Sequence, residues 1–183
     1  MLVLGDTVHD DNLTKHDIVA RCVLDYTSIF DMFKVANIMH KCFKIPTPEE
    51  SLNYLKEINA DLEHSVKYYN PETNDVYALL LMANNRFDTS IPNLEKQSPL
   101  VPLMFNDFKQ KEGAAFIIDK RIRNIGLDKM MLDAYKNTKD YKNHDLIWCG
   151  VNHELKSHNY WKRLGFLNFY NDHAASFYLK LVE

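Results

Sequence analysis

An arginine and a glycine three residues apart separate an apolar segment from an amphipathic helix, and this arrangement can bind an anion. Residues 114–118 are apolar throughout, which is typical of a strand buried on both faces. Arg123 and Gly126 follow, and the apolar residues from Leu127 onward recur at helical spacing. Free N–H groups and the positive dipole end at the start of such a helix favour a phosphate or diphosphate. The sequence therefore predicts a phosphate site at residues 123–128.

Asp128 has two opposing effects on this predicted site. In the first turn of a helix, a carboxylate stabilises the helix dipole by about 0.3–1 kcal/mol. The same negative charge repels a bound diphosphate, unless the side chain points away from the loop. Asp128 is therefore expected to weaken the binding of a diphosphate.

A second strand and helix follow in the C-terminal part of the chain. Residues 146–152 are mostly apolar and predict another buried strand. A helix should follow, because Ser157, Tyr160, Trp161 and Leu164 share one face, and Gly165 can cap its C-terminus. The remaining segments, 166–170 and 176–182, are separated by a polar turn and predict an antiparallel hairpin.

These motifs resemble those of the GNAT superfamily of acyl-CoA N-acyltransferases. The segment Arg123–Asp128 matches the family's loop Arg/Gln-x-x-Gly-x-Gly/Ala at the first and fourth places but not at the sixth, where Asp128 stands. The segment Tyr160–Phe166 is similar to the family's Tyr-x-x-x-Gly-Phe ending. The order strand, loop, helix, strand, helix, hairpin is also that of the family's C-terminal half. The resemblance covers about residues 112–183, and the N-terminal half agrees only in the order of its elements.

The resemblance implies a fold, a co-substrate and an acceptor. The fold is α/β in the broad sense (α+β), with a mixed, mostly antiparallel central sheet flanked by helices. Its strands at 114–118 and 146–151 should be adjacent, parallel and splayed at one end. The co-substrate is acetyl-CoA, its diphosphate held by the loop, and the acceptor is an amine of a small molecule or a protein. The implied cofactor-binding residues are Ile118, Arg123, Asn124, Ile125, Gly126, Leu127, Asp128 and Trp161.

Acyl transfer to an amine needs a proton acceptor, and a proton donor helps the thiolate to leave. The family's usual acid is the tyrosine of Tyr-x-x-x-Gly-Phe, and Trp161 occupies that place here. An indole N–H cannot act as an acid near neutral pH, so the neighbouring Tyr160 is the candidate acid. His153, His158 and Glu112 are candidate bases. A structural role is the alternative for each: a core aromatic, a solvated histidine or a charge at a strand end.

The sequence predicts no metal site and no catalytic cysteine. His153-Glu154 suggests a zinc helix, but the H-E-x-x-H spacing needs a histidine at 157, which is a serine. The group His9-Asp10-Asp11 could ligate a metal, although polar segments often contain such residues. Cys149 lies within a strand segment and is expected in the core.

Composition limits the class of protein and of partner. A chain of 183 residues predicts one domain. The net charge of −3 does not favour nucleic-acid binding, and no apolar run is long enough to span a membrane. Three widely separated cysteines fit reduced thiols in a cytoplasm better than a disulfide framework. A second copy of the chain is a candidate partner.

The sequence of the N-terminal half predicts two helices, three strands and an irregular insertion. Residues 18–24 are compatible with a first strand, and helices are expected over 29–43 and after Thr47-Pro48. Two strands should follow at 66–69 and 76–82. Residues 84–112 contain prolines and predict an irregular insertion that either covers an acceptor pocket or forms a partner surface.

Three functional hypotheses follow. The first is an N-acetyltransferase that uses acetyl-CoA. The second is a GNAT-fold module of impaired activity that binds a CoA-type ligand or a protein partner, as Asp128 and Trp161 suggest. The third is an unrelated protein whose Arg-x-x-Gly loop holds a nucleotide. The absence of a Walker lysine and of a G-x-G-x-x-G motif disfavours the third.

Overall fold

A computed structural model describes residues 4–5, 12–153 and 158–182. In chain order the strands are β1 Leu4–Gly5, β2 Val23–Tyr26, β3 Ala60–Tyr69, β4 Val76–Ala83, β5 Gln110–Ile118, β6 Leu146–Asn152, β7 Leu167–Asn171 and β8 Ala175–Leu181. The α-helices are α1 Lys15–Arg21, α2 Met32–Phe43, α3 Pro48–Glu57, α4 Leu94–Gln97, α5 Val101–Asp107, α6 Leu127–Lys136, α7 Lys139–Lys142 and α8 His158–Arg163.

All eight strands form one sheet, in which seven follow the order β2-β3-β4-β5-β6-β8-β7 and β1 pairs with β5. The pairs β5–β6 and β1–β5 are parallel, and the other pairs are antiparallel. The predicted mixed, mostly antiparallel α+β sheet is therefore confirmed, as is the parallel contact between the strands at 114–118 and 146–151.

The two central parallel strands separate after a short ladder. Their paired positions run from Gln110 with Leu146 to Glu112 with Trp148, although β5 continues to Ile118. A bulge lies at the point of separation, because Leu81 and Met82 are adjacent in β4 but pair with Ala115 and Gly113, respectively, in β5. An extra residue of this kind bends a strand and increases its twist. The paired ladder therefore ends where the predicted splay begins.

The sheet is covered on both faces. Alternate residues of β4 point to opposite faces, as the period of a strand requires. Leu80 and Met82 belong to a cluster with residues of α6 and α8, whereas Leu79 and Leu81 belong to one with residues of α2 and α3. The helix predicted from Leu127 is thus α6, and it packs on the same face as α8.

The prediction of a strand over residues 18–24 is wrong for most of that segment. Lys15–Arg21 is helical, and β2 begins only at Val23. The cause is a capping box, in which Thr14 and Asp17 each bond the other's backbone N–H. Ile18 is then the buried residue of an amphipathic helix rather than part of a strand.

The segment 84–112 is more regular than the sequence suggested. It contains α4 and α5, and its last residues already belong to β5. Phe87 and Phe105 pack against each other and against Phe169 of β7, and Phe87 also packs against Trp148 of β6. Apolar side chains of this insertion therefore form core with β6, β7 and β8.

The predicted helix caps are present. Thr47 accepts a hydrogen bond from the Glu50 N–H at the start of α3, with Pro48 in the first helical position. Gly165 has φ +83°, and the Phe166 N–H bonds the Trp161 carbonyl, as in a Schellman ending. Among the described helices, none has the length and apolar character needed to cross a membrane.

Candidate functional site

The loop between β5 and α6 is held rigidly by the residues before Arg123. The Asp119 carboxylate accepts bonds from the Arg121 N–H, from its Nε at 3.0 Å and from its Nη2 at 2.9 Å. The Arg121 Nη1 also donates to the carbonyl of Leu13 at 3.2 Å. This network fixes a short 3-10 turn at Lys120–Ile122 and places Arg123 at its exit.

The loop then bends through two left-handed residues. Asn124 has φ +63° and Gly126 has φ +77°, and Gly126 is the N-cap residue of α6. The space around the Cα of Gly126 is open, since a Cβ there would meet no atom within 4 Å. Consecutive N–H groups in such a bend, next to a helix N-terminus, form a concave donor surface for anions. Glycine is needed for its positive φ.

The loop faces a cleft of about 520 Å³. Six of the eight residues predicted to bind the cofactor line it, and Tyr160 lies across from them on α8. The six are Ile118, Arg123, Asn124, Gly126, Leu127 and Asp128. The tertiary structure therefore brings the sequence motif and the second helix together around one open space.

The other two predicted cofactor residues do not line this cleft. Ile125 borders a separate groove with residues of α1 and with Met130. Trp161 is buried, with 3% of its surface exposed, and its ring contacts Phe116 and Phe166. Trp161 instead lines a small apolar cavity of about 20 Å³, together with residues of β4, β5, β6 and α6.

Positive charge prevails around the cleft. Among the described residues, Arg123, Lys129 and Arg163 line it together with one carboxylate, that of Asp128. The Arg123 Nε donates to the Ile118 carbonyl at 3.2 Å, which orients its guanidinium at the end of β5. Lys129 and Arg163 were not among the predicted site residues. Arg163 was detectable, because it lies three residues after Tyr160 and therefore shares its face of α8.

Asp128 points into the cleft rather than away from it. Burial, followed by the charge of the Asp128 carboxylate, raises the pKa of the Tyr160 hydroxyl. A hydroxyl that is held neutral by an adjacent carboxylate is a poor proton donor to a thiolate near neutral pH. This geometry disfavours Tyr160 as the acid and assigns it instead to the wall of the cleft.

Glu112 lies at the last paired position of the two central strands, opposite Trp148. It is 3% exposed. Burial, followed by the charges of Glu112 and Glu57, raises the pKa of Tyr54 on α3 to about 12. Tyr54 packs against the cluster on the α2 and α3 face, whereas Tyr160 packs against the cluster on the opposite face. Glu112 and Tyr160 are thus associated with opposite faces of the sheet.

The remaining candidates are placed as follows. The His153 Nε2 lies 3.1 Å from the Ser176 Oγ, at the end of β6. His158 begins α8, but its side chain lies outside the described part of the structure, as does the group His9-Asp10-Asp11. Cys149 is in the core as expected, and burial raises the pKa of its thiol.

A cluster of ionisable residues lies apart from the cleft. Asp61, His64 and Asp140 offer ligand atoms within 4.8 Å of one another, a spacing that a metal ion could use. The ammonium of Lys111 already contacts both carboxylates, at 3.1 Å in the case of Asp140. Its positive charge occupies the position of a cation, so the cluster is an internal ion-pair network.

Comparisons with known proteins identify the fold. No protein-family model and no curated protein sequence matches this chain. Solved structures do match: the PH1933 protein of Pyrococcus horikoshii OT3 has a TM-score of 0.61 at 10% identity, covering 88% of this chain and 99% of that one. A GNAT-family acetyltransferase from Staphylococcus aureus Mu50 matches with a TM-score of 0.54 at 13% identity, covering 88% of this chain and 99% of that one. Arylalkylamine N-acetyltransferase 2 from Aedes aegypti matches with a TM-score of 0.57 at 13% identity and the same coverage of both chains. The chain has the fold of the GNAT acyltransferases.

Proposed function

We propose that this protein is an N-acyltransferase that transfers an acetyl group from acetyl-CoA to a primary amine of a small molecule or a protein. The observation that carries the proposal is the cationic cleft, in which the β5–α6 loop and α8 face each other beside the diverging central strands. Fold similarity to acetyltransferases supports the same class of reaction.

The cleft supplies the groups that a coenzyme A diphosphate needs. Backbone N–H groups of residues 124–128 surround the N-terminus of α6, and Arg123, Lys129 and Arg163 supply positive charge. A diphosphate bound there would direct its extended arm along β5 toward Glu112. The thioester would then lie where the strands separate, next to the buried carboxylate.

Glu112 is the base in this mechanism. It accepts a proton from the ammonium form of the acceptor, and the neutral amine attacks the thioester carbonyl. Backbone N–H groups at the point where the strands separate are suitable donors to the oxyanion of the tetrahedral intermediate. Its collapse breaks the C–S bond and releases the thiolate, and the nitrogen gives up its remaining extra proton as the neutral amide forms. Because a thiol has a pKa near 8.5, solvent can carry this proton to the thiolate without a positioned acid, and Glu112 returns its own proton to solvent.

A binding module without turnover is the second candidate, and Asp128 is the observation that favours it. Its carboxylate lies within the cleft and repels a diphosphate. Neither aromatic residue of the motif is suited to acid catalysis, because Trp161 has no suitable proton and the pKa of Tyr160 is raised. The module hypothesis predicts binding of coenzyme A and no release of free thiol with any amine.

Arylalkylamines are the first acceptors to assay, given the substrate in the name of the Aedes neighbour.

Coenzyme A is expected to raise the melting temperature of the protein. A ligand at a hundredfold excess over its Kd stabilises the folded state by about 2.7 kcal/mol. Arg123→Ala should reduce the shift, since it removes a cation from the cleft. Asp128→Asn should enlarge it, since it removes a carboxylate from the cleft while preserving the size of the side chain. A thermal-shift titration of the three proteins measures both effects.

Lys120→Ala provides the matched control, because Lys120 is an exposed cation in the same loop that does not line the cleft. Its shift should equal that of the wild type. A wild-type protein that shows no shift at millimolar coenzyme A would contradict the proposed function. An equal shift with ATP would favour a general nucleotide site.

A further inference from the structure

We propose that β1 occupies the edge of β5 that an acyl donor requires, so that the docking of β1 and the binding of the donor exclude each other. This inference rests on the proposed function, because it concerns the arm of the same coenzyme A ligand. In this proposal β1, a segment of the same chain, competes with coenzyme A for β5. Coenzyme A can then bind only after β1 has been released.

The pairing of β5 places β1 between the diverging strands. One edge of β5 is used by β4 along its length, from Glu112 with Ala83 to Ile118 with Ala78. The other edge pairs with β6 only as far as Glu112. Beyond that point β5 pairs with β1, with Leu4 opposite Phe116 and Gly5 opposite Ile117. Since β4 covers the first edge at these positions, β1 must lie on the edge that faces β6.

The direction of β1 matches the path expected of the donor. β1 runs parallel to β5 and therefore points toward the Arg123 loop, where the diphosphate would bind. The arm of coenzyme A contains amide groups in an extended chain, which are the same hydrogen-bonding groups that a peptide strand presents. Successive residues of a strand direct their N–H and C=O groups to opposite edges, so each edge offers one N–H and one C=O for every two residues. The edge at residues 116 and 117 can therefore serve β1 or the donor, but not both.

The short pairing makes this contact reversible. Among the described residues, the pairing of β1 consists of Leu4 and Gly5, and a pairing of two residues opens at low cost in free energy. A ligand that needs the open form binds with an apparent Kd equal to the intrinsic Kd divided by the fraction of open molecules. If β1 is docked in about nine of ten molecules, the apparent affinity for coenzyme A falls by about tenfold.

The test compares the full chain with a variant that lacks residues 1–11 and with the milder substitution Gly5→Pro. Proline removes the N–H of residue 5 and restricts its φ, which disfavours pairing within a sheet. Asn12→Pro is the control, because Asn12 is exposed and lies outside β1. The measurements are the Kd of coenzyme A by calorimetry and amide hydrogen exchange over residues 113–118, with and without coenzyme A.

The expected result is coenzyme A binding that is about tenfold tighter in the truncated variant and in Gly5→Pro, and unchanged in Asn12→Pro. Exchange over residues 113–118 should rise when β1 is removed and should fall again when coenzyme A binds. Equal affinities in all proteins would overturn the competition while leaving the proposed function intact. Absence of coenzyme A binding in every variant would overturn the proposed function, and with it the competition, even if removal of β1 raises exchange.

Discussion

Replacing Lys111 with methionine is expected to lower the free energy of unfolding by about 3–5 kcal/mol, because it removes one partner of a buried ionic network. The Lys111 side chain is fully buried. Its ammonium contacts the carboxylate of Asp61, that of Asp140 at 3.1 Å and the Asn84 Oδ1 at 2.6 Å. Methionine has a similar length and no charge, so the variant leaves two carboxylates facing each other without a cation between them.

The dependence of stability on pH should change as well. In the wild type, burial opposes ionisation of Asp61, but the hydrogen bonds and charges of Lys111 and His64 outweigh it and lower the pKa of Asp61. A lowered pKa in the folded state contributes stability above the unfolded pKa of about 3.9 and loses it as the pH falls. Without Lys111, the hydrogen bond of His64 is left to oppose both burial and the repulsion between Asp61 and Asp140, so mild acidification should stabilise the variant relative to its value at pH 7.

Chemical denaturation at pH 7 and at pH 5 measures both effects. Lys109→Met is the matched control, because Lys109 lies two residues away and is exposed. Its free energy of unfolding should stay within about 0.5 kcal/mol of the wild type. A loss below about 1 kcal/mol in Lys111→Met would show that the network contributes little to stability.

Replacing Glu112 with glutamine is expected to lower kcat for acetyl transfer by 10²–10⁴-fold, the usual contribution of a positioned general base. Glutamine keeps the size of the side chain and its hydrogen-bonding capacity, but it cannot take a proton from the acceptor. Glu112 is buried where β5 and β6 separate, on the route from the Arg123 loop to the proposed position of the thioester. The affinity for coenzyme A should be unchanged, because Glu112 does not line the diphosphate cleft.

The assay measures release of free thiol from acetyl-CoA with arylalkylamines and other primary amines as acceptors. Glu57→Gln is the control, since the Glu57 carboxylate also acts on Tyr54 but is exposed on α3. Its kcat should remain within about twofold of the wild type, because surface carboxylates distant from the reacting atoms contribute little. A kcat in Glu112→Gln that equals the wild-type value would exclude Glu112 as the base and would direct attention to His153 and His158.

The sequence alone determined the C-terminal half of the fold because its signals are local. A buried apolar strand, a glycine with positive φ and a helix with an apolar stripe are each set by neighbouring residues. The loop at Arg123–Asp128 and the ending at Gly165 were therefore located correctly to within a few residues. The resemblance of this order to the GNAT family then predicted two parallel strands that separate.

The sequence was less informative where tertiary contacts or short polar motifs decide the structure. The capping box of Thr14 and Asp17 was visible in the sequence but was outweighed by the apolar residues that follow it. The burial of Lys111 was not visible, because its partners Asp61, Asn84 and Asp140 come from distant parts of the chain.

Only the tertiary structure could decide the composition of the site. Side chains from β5, from its loop and from α8 line one cleft because β5 and β6 are neighbours in the sheet. The same packing excludes Trp161 from the cleft and brings Asp128 toward Tyr160, and neither result follows from spacing along the chain. The pairing of β1 with β5 joins residues more than a hundred positions apart, and hydrogen bonding between strands leaves no local sequence signal at such a distance.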